Sequence, residues 1–171
     1  ATGAMLVVLI TMFGPISGAH FNPAVTAVLV WRGDIERGDV AGYVAAQVVG
    51  GIAGVLLAHG MFGETILQLS ARVRSGPAQW LSEAVAAFGL VLTILLTLRA
   101  NPAAVATSVG LYITAAYWFT ASTSFANPAV TIARAFSDTF AGIRLADVAP
   151  FIVAQLIGAA AAAFTSRWLL A

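Results

Sequence analysis

Long charge-free runs of apolar residues, separated by short charged segments, set the pattern of this chain. Val40 to His59 is one such run of 20 residues, Ala78 to Leu98 is a second with only Glu83 charged, and Val148 to Ser166 is a third of 19 residues ending before Arg167. A membrane-crossing helix needs about 20 predominantly apolar residues, so each run predicts one span. Two further runs, Ala1 to Trp31 and Ala100 to Ala133, hold no Asp, Glu, Lys or Arg over 31 and 34 residues. As a single helix the longer one would reach roughly 50 Å, well past a hydrocarbon core of about 30 Å.

Breaker residues divide the two long runs. The stretches GPISGAHFNP (14 to 23) and TASTSFANP (120 to 128) are rich in Gly, Ser, Asn and Pro, which end helices and open turns. Each long run therefore reads as a span, a break and a short second helix. In each short helix Asn is placed to cap the N-terminus and Pro fills the first helical position, where its missing N–H costs nothing. The tails AVTAVLVW and AVTIARAF are about two turns each, so both are half-helices. Broken polar backbone at membrane depth survives only if buried in protein or facing a watery cavity. Two such breaks predict a pore or binding site.

The breaks belong to an internal repeat. NPAVT occurs at 22 to 26 and again 105 positions later (127 minus 22), and YVAAQVVGG (43 to 51) lines up with FIVAQLIGA (151 to 159). An odd number of spans separates the copies, so the second enters from the opposite face. Inverted repeats of this kind place paired half-helices at the membrane midplane. The chain divides into a first-repeat segment 1–60, a connecting loop 61–77 and a second repeat 78–171, all within one domain over 1–171.

Composition narrows the function class. Hydrophobic residues make up 60% and charged residues 9%, too few charges for an ordinary soluble surface. The partner this implies is the lipid bilayer. Eight Arg against seven acids leave no basic stripe for nucleic acid. Zero cysteines exclude disulfides, thiolate metal sites and Cys nucleophiles. His20 and His59 lie in unlike settings, one in a break and one at a span end, and suggest neither a metal cluster nor a base with a nucleophile. The expectation is no enzyme, no metal and no cofactor.

SGAHFNPAVT (17 to 26) together with SFANPAVT (124 to 131) resembles the paired NPA signature of the aquaporin, or major intrinsic protein, family. The resemblance covers the whole chain and implies an all-α membrane protein, an aquaporin-like inverted-repeat bundle with two re-entrant half-helices. It implies that the family's first helix, with a counterpart of Glu83, is missing before residue 1, leaving five full spans of six. It also implies a passive channel for small uncharged solutes, a homotetramer with one pore per subunit, and a multi-pass place in a cell membrane, a bacterial inner membrane. Arg32, Arg37, Arg99 and Arg167 would then lie inside and Arg72, Arg74, Arg134 and Arg144 outside. That count of four against four leaves the positive-inside rule undecided. A secondary transporter built on inverted repeats, or a non-conducting fragment, is the alternative.

The expected pore residues are Asn22, Pro23, Ala24, Asn127, Pro128 and Ala129. Two helix N-termini meeting at the midplane create a positive potential that repels cations. Each Asn carbonyl can accept from its own half-helix while its NH2 donates to a passing oxygen. A third NPA, at Asn101 to Ala103, follows Arg99 and opens a full apolar run, so it reads as a helix cap at the membrane surface. Glu83, the one acid inside a full span, is by the resemblance a brace for a re-entrant loop rather than a proton relay. His20 reads as a packed imidazole beside the pore, with gating the lesser alternative. Gln47 and Gln155 are expected to bond across helices. The small-residue stretches at 50–54 and 158–163 suit close packing in lipid.

The selectivity filter carried over from the family comprises Thr2, Ser124, residue 130 and a fifth-span residue. Tyr117 fits that last place by its spacing from Gly110, and Ala115 fits by its distance from Asn127. Most members carry Arg three residues after the second Asn, and here Val130 stands there. Losing a charge and five fixed donors widens the filter and makes strict water selectivity unexpected. Arg134, one turn on, is a candidate substitute, but Asp138 four residues further favours an Arg134–Asp138 pair. Thr131 replaces the Asp of glycerol facilitators. NPAV in the second motif resembles a bacterial subgroup linked to arsenic detoxification, which implies a broad filter for small neutral solutes, metalloid hydroxides among them.

Overall fold

A computed structural model of the chain describes residues 1–170, which fold into seven α-helices with short 3₁₀ turns. In order these are α1 Thr2–Ser17, α2 Pro23–Arg32, α3 Val40–Phe62, α4 Pro77–Ala100, α5 Val105–Phe119, α6 Pro128–Arg134 and α7 Leu145–Leu169. Helices α3, α4 and α7, at 23, 24 and 25 residues, are long and apolar enough to cross a membrane. Helices α1 and α5 have 16 and 15 residues. Each reaches only about 24 Å before the chain enters a loop that leads to a half-helix.

Local chemistry sets the helix ends. The first break begins at Gly18 rather than at Gly14. Pro15 lies inside the last turn of α1, and Gly18, with φ 71°, closes the helix by donating its N–H to the Gly14 carbonyl. Asn22 and Asn127 cap α2 and α6 with their side chains, each followed by Pro at the first position. The third NPA departs from its expected part. Asn101 makes no side-chain cap bond; its backbone N–H closes α4 on Thr97, and Pro102–Ala104 form a 3₁₀ turn before α5 begins at Val105. That motif is a corner between two spans.

Packing follows the repeat. Helix α1 crosses α5, α2 packs on α3 and α7, and α6 packs on α7 and α3. Each half-helix thus touches the long helix of its own repeat and that of the other. The most extensive contact joins α4 to α7. Gly158 permits it, since a Cβ there would run into the Ala84 carbonyl. Between lipid-embedded helices packing replaces the hydrophobic driving force, so backbone approach at small residues is what holds such a pair. Of the stretch 50–54 only Gly51 packs closely, with Ala133 and Ala129 as its neighbours, while Gly50 and Gly54 face open space. At 158–163, Gly158, Ala159, Ala162 and Ala163 are all buried. The core joins Val25, Val28 and Leu29 of α2 to Leu90, Val91 and Leu95 of α4 and to Val109 and Ile113 of α5.

Candidate functional site

The two breaks fold into loops of the same unusual shape. Ala19 and Phe21 have φ of 48° and 50°, and their repeat counterparts Ser124 and Ala126 both have φ of 48°. Left-handed backbone costs a non-glycine residue roughly 1 kcal/mol or more, so something must hold each loop.

In the second loop the holding group is Glu83. Wholly buried on α4, it accepts from the Phe125 and Ala126 N–H groups at 2.9 and 2.8 Å, from Ser122 Oγ at 2.6 Å and from Gln155 Nε2. Four donors fill the acceptor positions of one carboxylate. Gln155 also donates to Thr131 Oγ1 at 2.8 Å, and Gln47 makes the matching bond to Thr26 Oγ1 at 3.0 Å. Both glutamines tie a half-helix to its neighbouring span.

In the first loop His20 stacks on Tyr43 with ring centroids 4.9 Å apart, and its Nδ1 lies 3.2 Å from Thr26 Oγ1. The Thr26 hydroxyl donates its one proton to the Asn22 carbonyl at 3.1 Å. It can then only accept from the imidazole, so Nδ1 carries a proton.

Between the loops the two carboxamides cross. Asn22 Nδ2 donates to the Ala126 carbonyl at 2.7 Å and Asn127 Nδ2 to the Phe21 carbonyl at 2.8 Å. Each Oδ1 accepts from its own half-helix, at Ala24 N for Asn22 and at Ala129 N and Val130 N for Asn127. One N–H of each NH2 is therefore committed to the opposite loop, which leaves one. Both Asn side chains border a cavity of about 190 Å³. It extends from Leu98 and Val105 at one end of the bundle to Tyr117 and Arg134 at the other.

Thr2, His20, Ser124 and Val130 border the same cavity. Pro23, Ala24, Pro128 and Ala129 lie at the starts of the two half-helices instead of on its wall. Of the two fifth-span candidates, Tyr117 borders the cavity and Ala115 is exposed on α5. Ser124 Oγ is buried and has no hydrogen-bond partner among the described residues.

The expected Arg134–Asp138 pair does not form. A pair at i and i+4 needs a continuous helix, and α6 ends at Arg134 with the chain turning away through Phe136 and Ser137. Asp138 instead accepts from Ala71 N at 2.9 Å. The Arg134 guanidinium lies over the Phe125 ring, 4.3 Å from its centroid, and donates to the Tyr117 hydroxyl at 3.2 Å.

Two residues at this end carried no sequence signal. Arg74, in the loop before α4, is buried with only 6% of its surface exposed. Its guanidinium donates to the carbonyls of Gly142, Ser122 and Phe140 at 2.7 to 2.9 Å, while its backbone N–H donates to Asp147. Burial, with repulsion from Arg72 and Arg134, pushes it down to about 10, against a smaller pull from Glu83. Arg74 therefore keeps its charge near neutrality. It also lies over Phe125, 4.8 Å from the ring centroid. Periodicity cannot find a loop arginine, and Phe125 passed as one more apolar letter of its break.

A family model described as major intrinsic protein matches residues 1–102. The chain is 62% identical over 170 residues, covering 99% of its own length and 73% of the relative, to the aquaglyceroporin AqpS of Rhizobium meliloti. It is 30% identical to glycerol uptake facilitator protein-like 6 of Lactiplantibacillus plantarum, covering 98% of this chain and 82% of the relative. It is 31% identical to the probable aquaporin AqpM of Archaeoglobus fulgidus, covering 94% and 71%. Paired capped half-helices, loops of matching left-handed backbone and these similarities agree, and the chain belongs to the major intrinsic protein family of membrane channels.

Proposed function

We propose that this chain forms a passive path for small uncharged solutes, with water, glycerol-like polyols and trivalent metalloid hydroxides among them, and that Asn22 and Asn127 exclude cations and protons. The observation that carries the reading is the crossed pair of carboxamides. Each Asn is fixed at its oxygen and at one N–H, so its remaining N–H is a positioned donor on the cavity wall. A solute oxygen can take that bond and release it, as fast passive flow requires. The positive ends of α2 and α6 oppose any cation at the same level.

Breadth follows from Val130. Its short apolar side chain contributes no donor where most family members place a guanidinium, and polyols need width as well as hydrogen bonds. Ser124, on the same cavity wall, supplies a hydroxyl with no partner among the described residues. The relatives named for aquaglyceroporin and glycerol-uptake function point the same way. Segments 1–60 and 78–171, joined by 61–77, act as the two repeats of a single channel domain. Its setting is a bacterial inner membrane, as a homotetramer with one path per subunit.

Liposome swelling with water, glycerol and arsenous acid tests the reading. All three should enter protein-bearing vesicles faster than empty ones, and passage of water alone would refute the broad filter.

A further inference from the structure

We infer that Arg134 is the specificity-determining cation at the Tyr117 end of the path, standing in for the charge that Val130 does not provide. This rests on the channel reading and deepens it. The first support is helical geometry. A helical side chain leans toward the N-terminus and covers the turn before its own Cα, so a long side chain at 134 returns to the level of residue 130, one turn back. The cavity wall accordingly includes both Val130 and Arg134.

The second support is how the guanidinium is held. It rests over Phe125 at 4.3 Å and donates to the Tyr117 hydroxyl at 3.2 Å, while among the described residues no carboxylate pairs with it. Asp138, the acid nearest in sequence, is bonded to the Ala71 N–H. A guanidinium has five N–H donors, and the structure gives one of them a protein acceptor. The others form a charged fork on the cavity wall that Ser124 also borders, and the Ser124 Oγ has no partner among the described residues.

The third support is what stands behind it. Arg74 lies over the same Phe125 ring and is anchored by three carbonyls, so a second positive charge backs this end of the path. The counterpart of Arg134 across the 105-residue offset is Leu29, a buried core residue of α2. Of the residues that line the cavity, Arg134 at the Tyr117 end carries a full charge and those at the Leu98 end do not. The solutes this fork suits are uncharged molecules with adjacent oxygens, polyols and hydroxides, and it turns cations away.

Reconstituted vesicles of the whole chain test this with two simultaneous readouts, glycerol entry and leak of protons and sodium. Arg134→Leu should still pass glycerol above empty vesicles, lower the glycerol-to-water ratio and raise the cation leak about tenfold, the effect expected of losing one unit charge near the path. Arg134→Lys, which keeps charge but not the fork, should restore the low leak and leave the ratio reduced. Tyr117→Phe keeps every charge while removing the acceptor that holds Arg134, and should give a leak between the two. A conducting Arg134→Leu or Tyr117→Phe protein with wild-type leak and wild-type glycerol-to-water ratio overturns the role of Arg134 alone. Wild-type vesicles that admit no glycerol overturn the channel reading, and this inference with it.

Discussion

Asn22 and Asn127, 105 positions apart in sequence, each donate to the loop that carries the other, at 2.7 Å to the Ala126 carbonyl and 2.8 Å to the Phe21 carbonyl. The cap of one half-helix is thereby a tie to the opposite one. Replacing Asn127 by Ala should remove both, for a loss of about 1–3 kcal/mol. The corresponding Asn22 change should cost about as much. Since the two residues share one junction, the double variant should lose less than the sum. Thermal unfolding in detergent micelles measures all three, and strict additivity would show that the loops do not depend on each other.

Glu83 offers a sharper case. Glu83→Gln keeps the shape but turns an NH2 toward one of the two N–H groups, Phe125 or Ala126, that the carboxylate oxygens each accept from, leaving a buried donor unpaired in a loop with left-handed residues at 123, 124 and 126. A loss of about 3 kcal/mol or more is expected, as for breaking a buried charged network. It should show as a lowered unfolding midpoint together with weaker hydrogen-exchange protection at residues 122–126. Loss of solute flux without either change would favour a transport role for the carboxyl group over bracing.

Arg74 should behave as a clasp. Its fork joins the loop before α4 to the α6–α7 connection and to Ser122, and Lys, with a single donor head, cannot reach three carbonyls in one plane. Arg74→Lys should cost about 1–3 kcal/mol and speed proteolytic cleavage between residues 63 and 76. An unchanged cleavage rate would mean that other contacts hold the loop.

Much of this was legible in the sequence because it rests on local rules. Charge-free runs of a set length marked α3, α4 and α7, and Asn-Pro after a polar break marked α2 and α6. Glu83 stood out because an acid inside an apolar span needs partners. What escaped was set by where the chain turns. Asp138 is four letters from Arg134, yet α6 stops between them, so the pairing rule had no helix to act on. The third NPA shares its letters with the other two but lacks a loop before it, and its Asn side chain caps nothing. Arg74 reads as an ordinary loop arginine until three carbonyls from distant segments surround it.

Val130 is the residue on which breadth depends. Val130→Arg would place a fork and a second charge within a turn of Arg134, narrowing the path. Glycerol and arsenous acid entry should fall about tenfold while water entry persists, since one obstructing group of a few atoms discriminates by roughly that factor. Unchanged glycerol entry would place the constriction elsewhere.

The most direct measurement is paired flux through vesicles bearing the wild-type chain, with glycerol entry followed by light scattering and proton entry by an internal pH dye. A path lined by the crossed carboxamides at Asn22 and Asn127 predicts non-saturating glycerol entry well above empty vesicles, with proton entry equal to theirs. Glycerol entry at the background rate, or entry that saturates and carries protons with it, would contradict it.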